Sequence, residues 1–179
     1  MRVALGLGSN LGDRLANLQL AVDVICGDPL VTAAAVSVVV DTDPVGGPDQ
    51  PNFLNAVLIV ETELSPIEVL ALAQRAESQA SRTREVRWGP RTLDVDVLSY
   101  ERLESDDPSL ILPHPRAAER SFVLVPWAAV SPSMTVPGRN GEQFTVAQLL
   151  QFLGSDATEG VRLRQDLALV IPKGPTLES

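Results

Sequence analysis

The chain has 179 residues, an apolar fraction of 45%, one cysteine and a formal net charge of −9. The length suggests one domain, the lone Cys26 excludes an intramolecular disulfide, and no apolar run reaches the roughly 18 residues that span a bilayer. The N-terminus lacks the features of a signal peptide, and the negative charge argues against a nucleic-acid binder with a broad basic surface. We expect a cytoplasmic monomer without a nucleic-acid or membrane partner.

The first hundred residues are predicted to form four strands and two helices. The strands are expected over Val3–Leu7, Val31–Val40, Phe53–Thr62 and Leu93–Tyr100. The first helix has apolar residues at helical spacing from Leu11 to Ile25 and ends near Gly27. The order βαββαβ is the ferredoxin-like arrangement, an α+β fold with an antiparallel sheet.

The second helix carries its own start signal. Ser65 is the predicted N-cap, Pro66 occupies the first helical position, and Glu68 can close a capping box. We expect this helix to run to about Ala80. The segment 41–52, which comes before the strand predicted to begin at Phe53, is predicted to be a loop because it contains three prolines and two glycines.

The C-terminal part is predicted to add helices to this core. They are expected over Ser121–Val130 and Thr145–Leu153, with a turn-rich segment at 132–143, a last strand over Leu167–Ile171 and a disordered tail from Pro172 to Ser179. We predict a single domain over residues 1–171.

Four arginines and two aspartates stand close together between residues 82 and 96. The arginines are Arg82, Arg84, Arg87 and Arg91, and the aspartates are Asp94 and Asp96. Clustered arginines suit a phosphate-bearing ligand. Carboxylates two apart on a strand share one face and, without nearby His or Cys, suit Mg²⁺. The combination predicts a magnesium–nucleotide site; the alternative is a solvated loop and a half-exposed strand.

Other residues are weaker candidates for the same site. Trp88 offers an aromatic plane for a heterocycle, and Gln74 and Glu77 lie on one helix face from which they could reach the same cavity. His114, the sole histidine, could donate a hydrogen bond to phosphate. Each has an ordinary structural alternative. The glycines between Gly6 and Gly12 lack the Walker and GxGxxG spacings, so we reject a P-loop or Rossmann reading.

Seven motifs carry a family resemblance over about residues 3–130. They are Gly8-Ser9-Asn10, Asp49-Gln50-Pro51, Phe53-Leu54-Asn55, Gln74-Arg75-Ala76-Glu77, Arg87-Trp88-Gly89-Pro90-Arg91-Thr92-Leu93-Asp94-Val95-Asp96, Pro113-His114-Pro115-Arg116 and Glu119-Arg120-Ser121-Phe122. In these motifs the chain resembles the 6-hydroxymethyl-7,8-dihydropterin pyrophosphokinases, which act in the folate pathway. The resemblance implies transfer of pyrophosphate from ATP to the pterin hydroxymethyl group, with release of AMP.

The resemblance also implies roles for particular residues. Asp94 and Asp96 would bind two Mg²⁺ ions and, with Arg82 and Arg91, would be catalytic. The ATP side would comprise Gln74, Glu77, Arg82, Arg84, Arg87, Arg91, Val97, His114 and Arg120. The pterin pocket would comprise Thr42, Val45, Phe53, Asn55, Trp88 and Phe122, with the pterin stacked between the rings of Phe53 and Phe122.

The chain departs from the family pattern at a few positions, and other functions stay open at this point. Asp43 stands where the family often has proline, and Ser109 and Ile111 stand where some members have arginine and threonine. The rivals are another Mg²⁺-dependent nucleotidyl or glycosyl transferase and a ferredoxin-like binding module without catalysis. We also hypothesise that loops 41–52 and 82–92 close over the substrates.

Overall fold

The computed structural model describes residues 1–44, 49–80, 92–138 and 141–172. This part of the chain is mixed α/β, with an antiparallel sheet and four α-helices. The strands are β1 (Arg2–Ser9), β2 (Val31–Val36), β3 (Val39–Thr42), β4 (Phe53–Thr62), β5 (Asp94–Tyr100), β6 (Ser105–Asp107), β7 (Leu110–Leu112), β8 (Thr135–Pro137), β9 (Gln143–Thr145) and β10 (Val161–Arg164). The helices are α1 (Arg14–Cys26), α2 (Pro66–Gln79), α3 (Ser121–Val130) and α4 (Val146–Leu153).

Six strands form the main sheet. Strands β10, β3, β4, β1 and β5 follow one another across it, and β2 also pairs with β4. Every pairing in this sheet is antiparallel. The long strand β4 is central, because it pairs with β1 over eight residue pairs and with β2 and β3 along its other edge.

Helices α1 and α2 cover one face of the sheet. Leu18 and Leu72 from these helices pack with Leu5, Leu58 and Val97 from the strands. Both helices begin as their sequences require: the Asp13 side chain accepts a hydrogen bond from the Ala16 backbone N–H at 3.0 Å, which caps α1. In α2 the predicted capping box of Ser65 and Glu68 is present.

Helices α3 and α4 cover part of the opposite face. Leu124 and Trp127 of α3, both fully buried, pack there with Ile59 and Leu98 of the sheet and with Val146 of α4. This layer leaves uncovered the end of the face where β1 finishes and where β4 and β5 begin. That uncovered end positions the candidate site described below.

The structure confirms most of the predicted elements. The strand at Phe53–Thr62 and the helix at Ser121–Val130 have the predicted bounds, and Thr145 caps α4 through a hydrogen bond from the Gln148 backbone N–H at 3.2 Å. The first helix begins later than predicted, at Arg14. The coarse fold class, α and β elements with an antiparallel sheet, is confirmed. Its ferredoxin-like designation stays a prediction.

Two strand predictions were wrong. Val31–Val40 is not one strand, because Ser37 interrupts it: its backbone N–H donates to Val57 O and its hydroxyl accepts from Val57 N, both at 2.9 Å. Leu167–Ile171 is not a strand either. Its backbone is held instead by the Gln19 side chain, which bonds the N–H and the carbonyl of Val170 at 2.8 Å.

Two loop predictions were partly wrong. The segment predicted as a loop from residue 41 begins in β3, which extends to Thr42. The turn-rich segment 132–143 contains β8 and the start of β9, which pair as a small hairpin. The predicted tail lies outside the described residues from position 173 onwards. Among the helices that the structure describes, none has the length and apolarity needed to cross a membrane.

Candidate active site

A cavity of ≈ 590 Å³ opens on the sheet face that α3 leaves uncovered. Its floor comes from β1, β4 and β5, and its walls come from Thr42, Asp43 and Gln50 on one side and from the segment leading into α3 on the other. The predicted site residues among its lining are Thr42, Phe53, Asn55, Asp94, Asp96, Arg120 and Phe122. The fold therefore brings together residues that lie up to eighty positions apart in the sequence.

Asp94 and Asp96 face this cavity because strand β5 alternates between its two sides. Their side chains are half-buried, whereas Val95 and Val97 are buried in the core under α1 and α2. The neighbouring strand β1 places Gly8 opposite Asp94 and Gly6 opposite Asp96. Directly opposite residues of an antiparallel pair share a face, so the absent side chains leave room beside both carboxylates.

The side chains of Arg120 and His114 lie close to the Asp96 carboxylate. The Arg120 guanidinium lies 3.6 Å from Asp96 Oδ2, and the same guanidinium lies 5.6 Å from the centre of the Phe122 ring. His114 Nε2 lies 4.0 Å from Asp96 Oδ2, while its Nδ1 accepts a hydrogen bond from the Arg116 backbone N–H at 3.2 Å. Burial lowers the pKa of His114, and the Asp96 carboxylate opposes this only in part. The neutral ring therefore carries its proton on Nε2, toward Asp96.

The other end of the cavity is aromatic and amide-lined. Asn55 donates a hydrogen bond from Nδ2 to Thr42 Oγ1 at 2.8 Å, and both side chains are buried. This bond orients the Asn55 amide and leaves its carbonyl oxygen 3.0 Å from the position that a Cβ on Gly8 would occupy. Phe53, on the same strand, and Phe122, at the start of α3, supply the two rings of the lining.

A buried polar junction lies just behind the cavity, at the end of β1. The Ser9 hydroxyl donates to the Thr92 carbonyl at 2.5 Å and accepts from Asn17 Nδ2 at 3.2 Å. Asn10 Nδ2 donates to Gln50 Oε1 and to the Pro51 carbonyl, both at 3.0 Å. Ser9 and Asn10 therefore fix the chain where it enters β4 and β5.

Other predicted residues lie elsewhere. Glu77 is buried, and its Oε1 accepts a hydrogen bond from the Val95 backbone N–H at 3.0 Å, so it supports β5 between the two aspartates. Gln74 is exposed on α2, and Val97 is buried in the core; neither is part of the cavity lining. The predicted residues Val45, Arg82, Arg84, Arg87, Trp88 and Arg91 lie outside the described residues.

The cavity also contains residues to which the sequence had given no role. Asp43 and Gln50 line the cavity near its aromatic end, and Glu119 lies on the wall near Arg120. Their positions follow from the pairing of β3 with β4 and from the turn before α3, which a single sequence does not reveal. The motifs that contain Gln50 and Glu119 were the available signals.

The two carboxylates fit a magnesium site in their chemistry. Mg²⁺ is held by oxygen ligands, usually one or two carboxylates together with substrate phosphates and water. Within the described ranges, no group of three or more His, Cys, Asp or Glu side chains forms a complete metal site. Asp94 and Asp96 therefore suit a metal that arrives with a phosphate-bearing substrate.

One cavity on the sheet thus presents two carboxylates, an arginine and two aromatic rings, a lining typical of the ligand sites of enzymes. The model of the 7,8-dihydro-6-hydroxymethylpterin-pyrophosphokinase (HPPK) family matches residues 4–132. The chain belongs to this family.

Similar proteins agree with this assignment. The 2-amino-4-hydroxy-6-hydroxymethyldihydropteridine pyrophosphokinase of Bacillus subtilis is 48% identical over 126 residues, 70% of this chain and 75% of that protein. Its counterpart in Methylorubrum extorquens is 41% identical over 160 residues, 89% of this chain and 98% of that protein. The Mycobacterium leprae protein of the same name is 46% identical over 175 residues.

Solved structures share the fold. The wild-type HPPK-DHPS of Plasmodium falciparum with pteroate superposes with a TM-score of 0.62 at 13% identity and covers 90% of this chain. The same protein with SDX-DHP gives a TM-score of 0.60. The chain spans 45% and 47% of those two chains, respectively, so the comparison concerns only part of them.

The polar junction at the end of β1 generates a first prediction. Replacing Asn10 by Ala should destabilise the fold by about 1–3 kcal/mol, because it removes the hydrogen bonds that this buried side chain donates to Gln50 and Pro51. Urea unfolding of the variant measures the change. The matched control is Gln151→Ala, at an exposed position of α4, for which we expect a change within about 0.5 kcal/mol. Equal stabilities of the two variants would contradict the structural role of Asn10.

Proposed function

We propose that the cavity over β1, β4 and β5 is the active site of this enzyme. As a member of its family, the protein transfers pyrophosphate from ATP to the hydroxymethyl group of 6-hydroxymethyl-7,8-dihydropterin in folate biosynthesis, and AMP is released. One observation carries the placement: Asp94 and Asp96 face the same cavity as Phe53, Asn55 and Phe122. A cavity with carboxylates at one end and aromatic rings at the other suits a phosphate donor and a flat heterocyclic acceptor.

The pterin is assigned to the aromatic end. Phe53 and Phe122 would stack on the two faces of the ring, and the buried Asn55, oriented by Thr42, would hydrogen-bond its polar edge. Burying an amide beside a ligand favours ligands that satisfy it, because an unpaired buried polar group is costly. Val45 and Trp88 stay proposed members of this pocket.

The triphosphate is assigned to the carboxylate end. Asp94 and Asp96 would hold Mg²⁺ together with phosphate oxygens, and we propose two ions. Bound there, the metal would withdraw charge from the triphosphate and orient it. Arg120, already 3.6 Å from Asp96, would contact the phosphates once the carboxylate is shared with a cation. Among the remaining residues, Gln74, Glu77, Arg84, Arg87, Val97 and His114 stay proposed for the ATP side.

The reaction needs little covalent help from the protein. The pterin hydroxyl oxygen attacks the β-phosphorus, the bond from that phosphorus to the oxygen bridging to the α-phosphate breaks, and AMP leaves. The chain's part is to hold the hydroxyl and the phosphate in line and to stabilise the developing charge. Arg82 and Arg91 are proposed for the second task.

We also retain the broader expectations as proposals. They comprise a single catalytic domain over residues 1–171, a ferredoxin-like core, a monomer, and a location in the cytoplasm. The strand order supports the core assignment, since β1 lies between β4 and β5 and all neighbours are antiparallel.

The direct test of the function is an assay of the purified chain with ATP, Mg²⁺ and 6-hydroxymethyl-7,8-dihydropterin. We expect one AMP and one pterin diphosphate per ATP consumed, and no AMP when either Mg²⁺ or the pterin is omitted. Chromatography of both products checks the stoichiometry. Folded protein that releases no AMP above background would refute the function, and AMP release without pterin would favour a different acceptor.

The carboxylate pair generates a second prediction for this site. Asp94→Asn and Asp96→Asn should each lower kcat on the order of 10²-fold or more, because each removes charge from the metal site. The Mg²⁺ concentration for half-maximal rate should rise in both. Asp106→Asn, at an exposed aspartate of β6, is the matched control and should leave both quantities unchanged. A Mg²⁺ dependence identical to that of the unaltered enzyme would exclude metal binding by the pair.

The aromatic end generates a further prediction. Phe122→Ala should raise the KM for pterin roughly tenfold through loss of stacking, with little change in the KM for ATP. Gly8→Ala should act in the same direction, because its Cβ would lie 3.0 Å from Asn55 Oδ1 and displace the amide. Phe152→Ala, at an exposed phenylalanine of α4, serves as control. The pocket assignment fails if Phe122→Ala changes the two KM values equally.

A further inference from the structure

The last strand of the sheet brings Arg162 to the edge of the proposed pterin pocket. Strand β10 pairs with β3, and its register places Arg162 opposite Asp41 and Val161 opposite Thr42. This strand lies beyond residues 4–132, the part of the chain that the family model matches. It therefore adds contacts to the site from outside the region that carries the resemblance.

Arg162 bridges Asp43, which lines the cavity, and Asp41, two residues before it. Its Nη2 lies 2.7 Å from Asp41 Oδ1 and 2.8 Å from Asp43 Oδ1, and its Nη1 lies 3.3 Å from Asp43 Oδ2. Two nitrogens of one guanidinium thus engage Asp43, a geometry that fixes direction as well as distance. Asp43 lines the cavity, and Thr42 lies between the two bridged residues.

The Asp41 carboxylate also contacts Asn52 and Arg14. Its Oδ1 accepts a hydrogen bond from Asn52 Nδ2 at 3.1 Å, and its Oδ2 lies 3.5 Å from Arg14 Nη1. Arg14 in turn donates to the Asn52 carbonyl at 2.9 Å. Residues 41–43 and residue 52, immediately before Phe53, are therefore tied to one another and to α1.

We propose that Arg162 is a positioning residue for pterin binding, which acts by bridging Asp41 and Asp43. The bridge holds Thr42 in place, Thr42 orients the Asn55 amide through its 2.8 Å hydrogen bond, and Asn52 leads directly into Phe53. Arg162 itself does not line the cavity. The inference rests on the proposed pterin pocket and deepens it.

The charges of the bridge persist at neutral pH. The hydrogen bond from Arg162 lowers the pKa of Asp43. Burial alone would raise the pKa of Asp41, but hydrogen bonds from Arg162 and Asn52 and the nearby Arg14 outweigh burial and lower it. When folding lowers the pKa of a carboxylate, its stabilising contribution is fully present above the unfolded pKa of about 3.9. This contribution is lost only as the pH falls through the folded pKa. The effect of Arg162 on pterin binding should therefore not vary between pH 6 and 8.

The test compares Arg162→Gln with the unaltered full-length enzyme. We expect the KM for pterin to rise about three- to tenfold, the range for losing a charge-assisted bridge that is partly exposed. The KM for ATP and the melting temperature should change little, since neither the carboxylate end nor the core is touched. Arg162→Lys should restore part of the loss because it keeps the charge without the two-nitrogen geometry. Asp43→Asn should reproduce the effect, and the double variant should be no worse than the worse single variant.

Arg164→Gln is the matched control. Arg164 lies on the same strand, but its shortest bonds, at 2.7 and 2.8 Å, go to Asp166, and it is 3.8 Å from Asp41. We expect less than a twofold change in the KM for pterin.

An unchanged KM for pterin in both Arg162→Gln and Asp43→Asn would overturn the proposal, as would equal rises in both KM values with a lowered melting temperature. If Phe122→Ala also left the KM for pterin unchanged, the pocket assignment itself would fail rather than the role of Arg162.

Discussion

The antiparallel pairing of β1 with β5 is the constraint on which the site depends. Strand β5 must bury Val95 and Val97 under α1 and α2, so the side chains between them are forced to the opposite face. On that face, β1 contributes Gly6 and Gly8, and α3 and α4 cover only the far end. Two carboxylates are thus held half-buried beside the cavity. A slip of one residue in this register would place both aspartates in the apolar core.

The central strand β4 links the two ends of the cavity in the same way. Its core-facing residues pack under α1 and α2, while Phe53, Asn55 and Val57 alternate toward the cavity. Asn55 is opposite Gly8 on β1 and opposite Val40 on β3. Its amide can therefore be reached by Thr42 on one side and can approach the β1 backbone on the other. The position of the amide follows from sheet pairing, and its orientation follows from the hydrogen bond to Thr42 Oγ1.

How far the sequence could predict this structure depends on which residues carry local signals. The capping box of Ser65 and Glu68 and the alternation of Asp94 to Val97 are local, and both gave correct elements. Ser37 was missed because its hydroxyl takes the place of a backbone partner opposite Val57. The apolar run 167–171 resembles a strand, yet its backbone bonds a side chain of α1. The roles of Asp43 and Arg162 depend on pairing across 119 positions, which no periodicity encodes.

Buried polar residues hold the points at which strands β4 and β5 begin. Ser9 and Asn10 are almost completely buried, so leaving their polar groups without these hydrogen bonds would be costly. They tie Thr92, before β5, and Pro51, before β4, to the end of β1. Asp41 adds a second tie at Asn52. The strands that carry the carboxylates and the aromatic wall therefore begin from anchored points. Ser9 and Asn10 of the glycine–serine–asparagine motif thus support the strands that line the cavity.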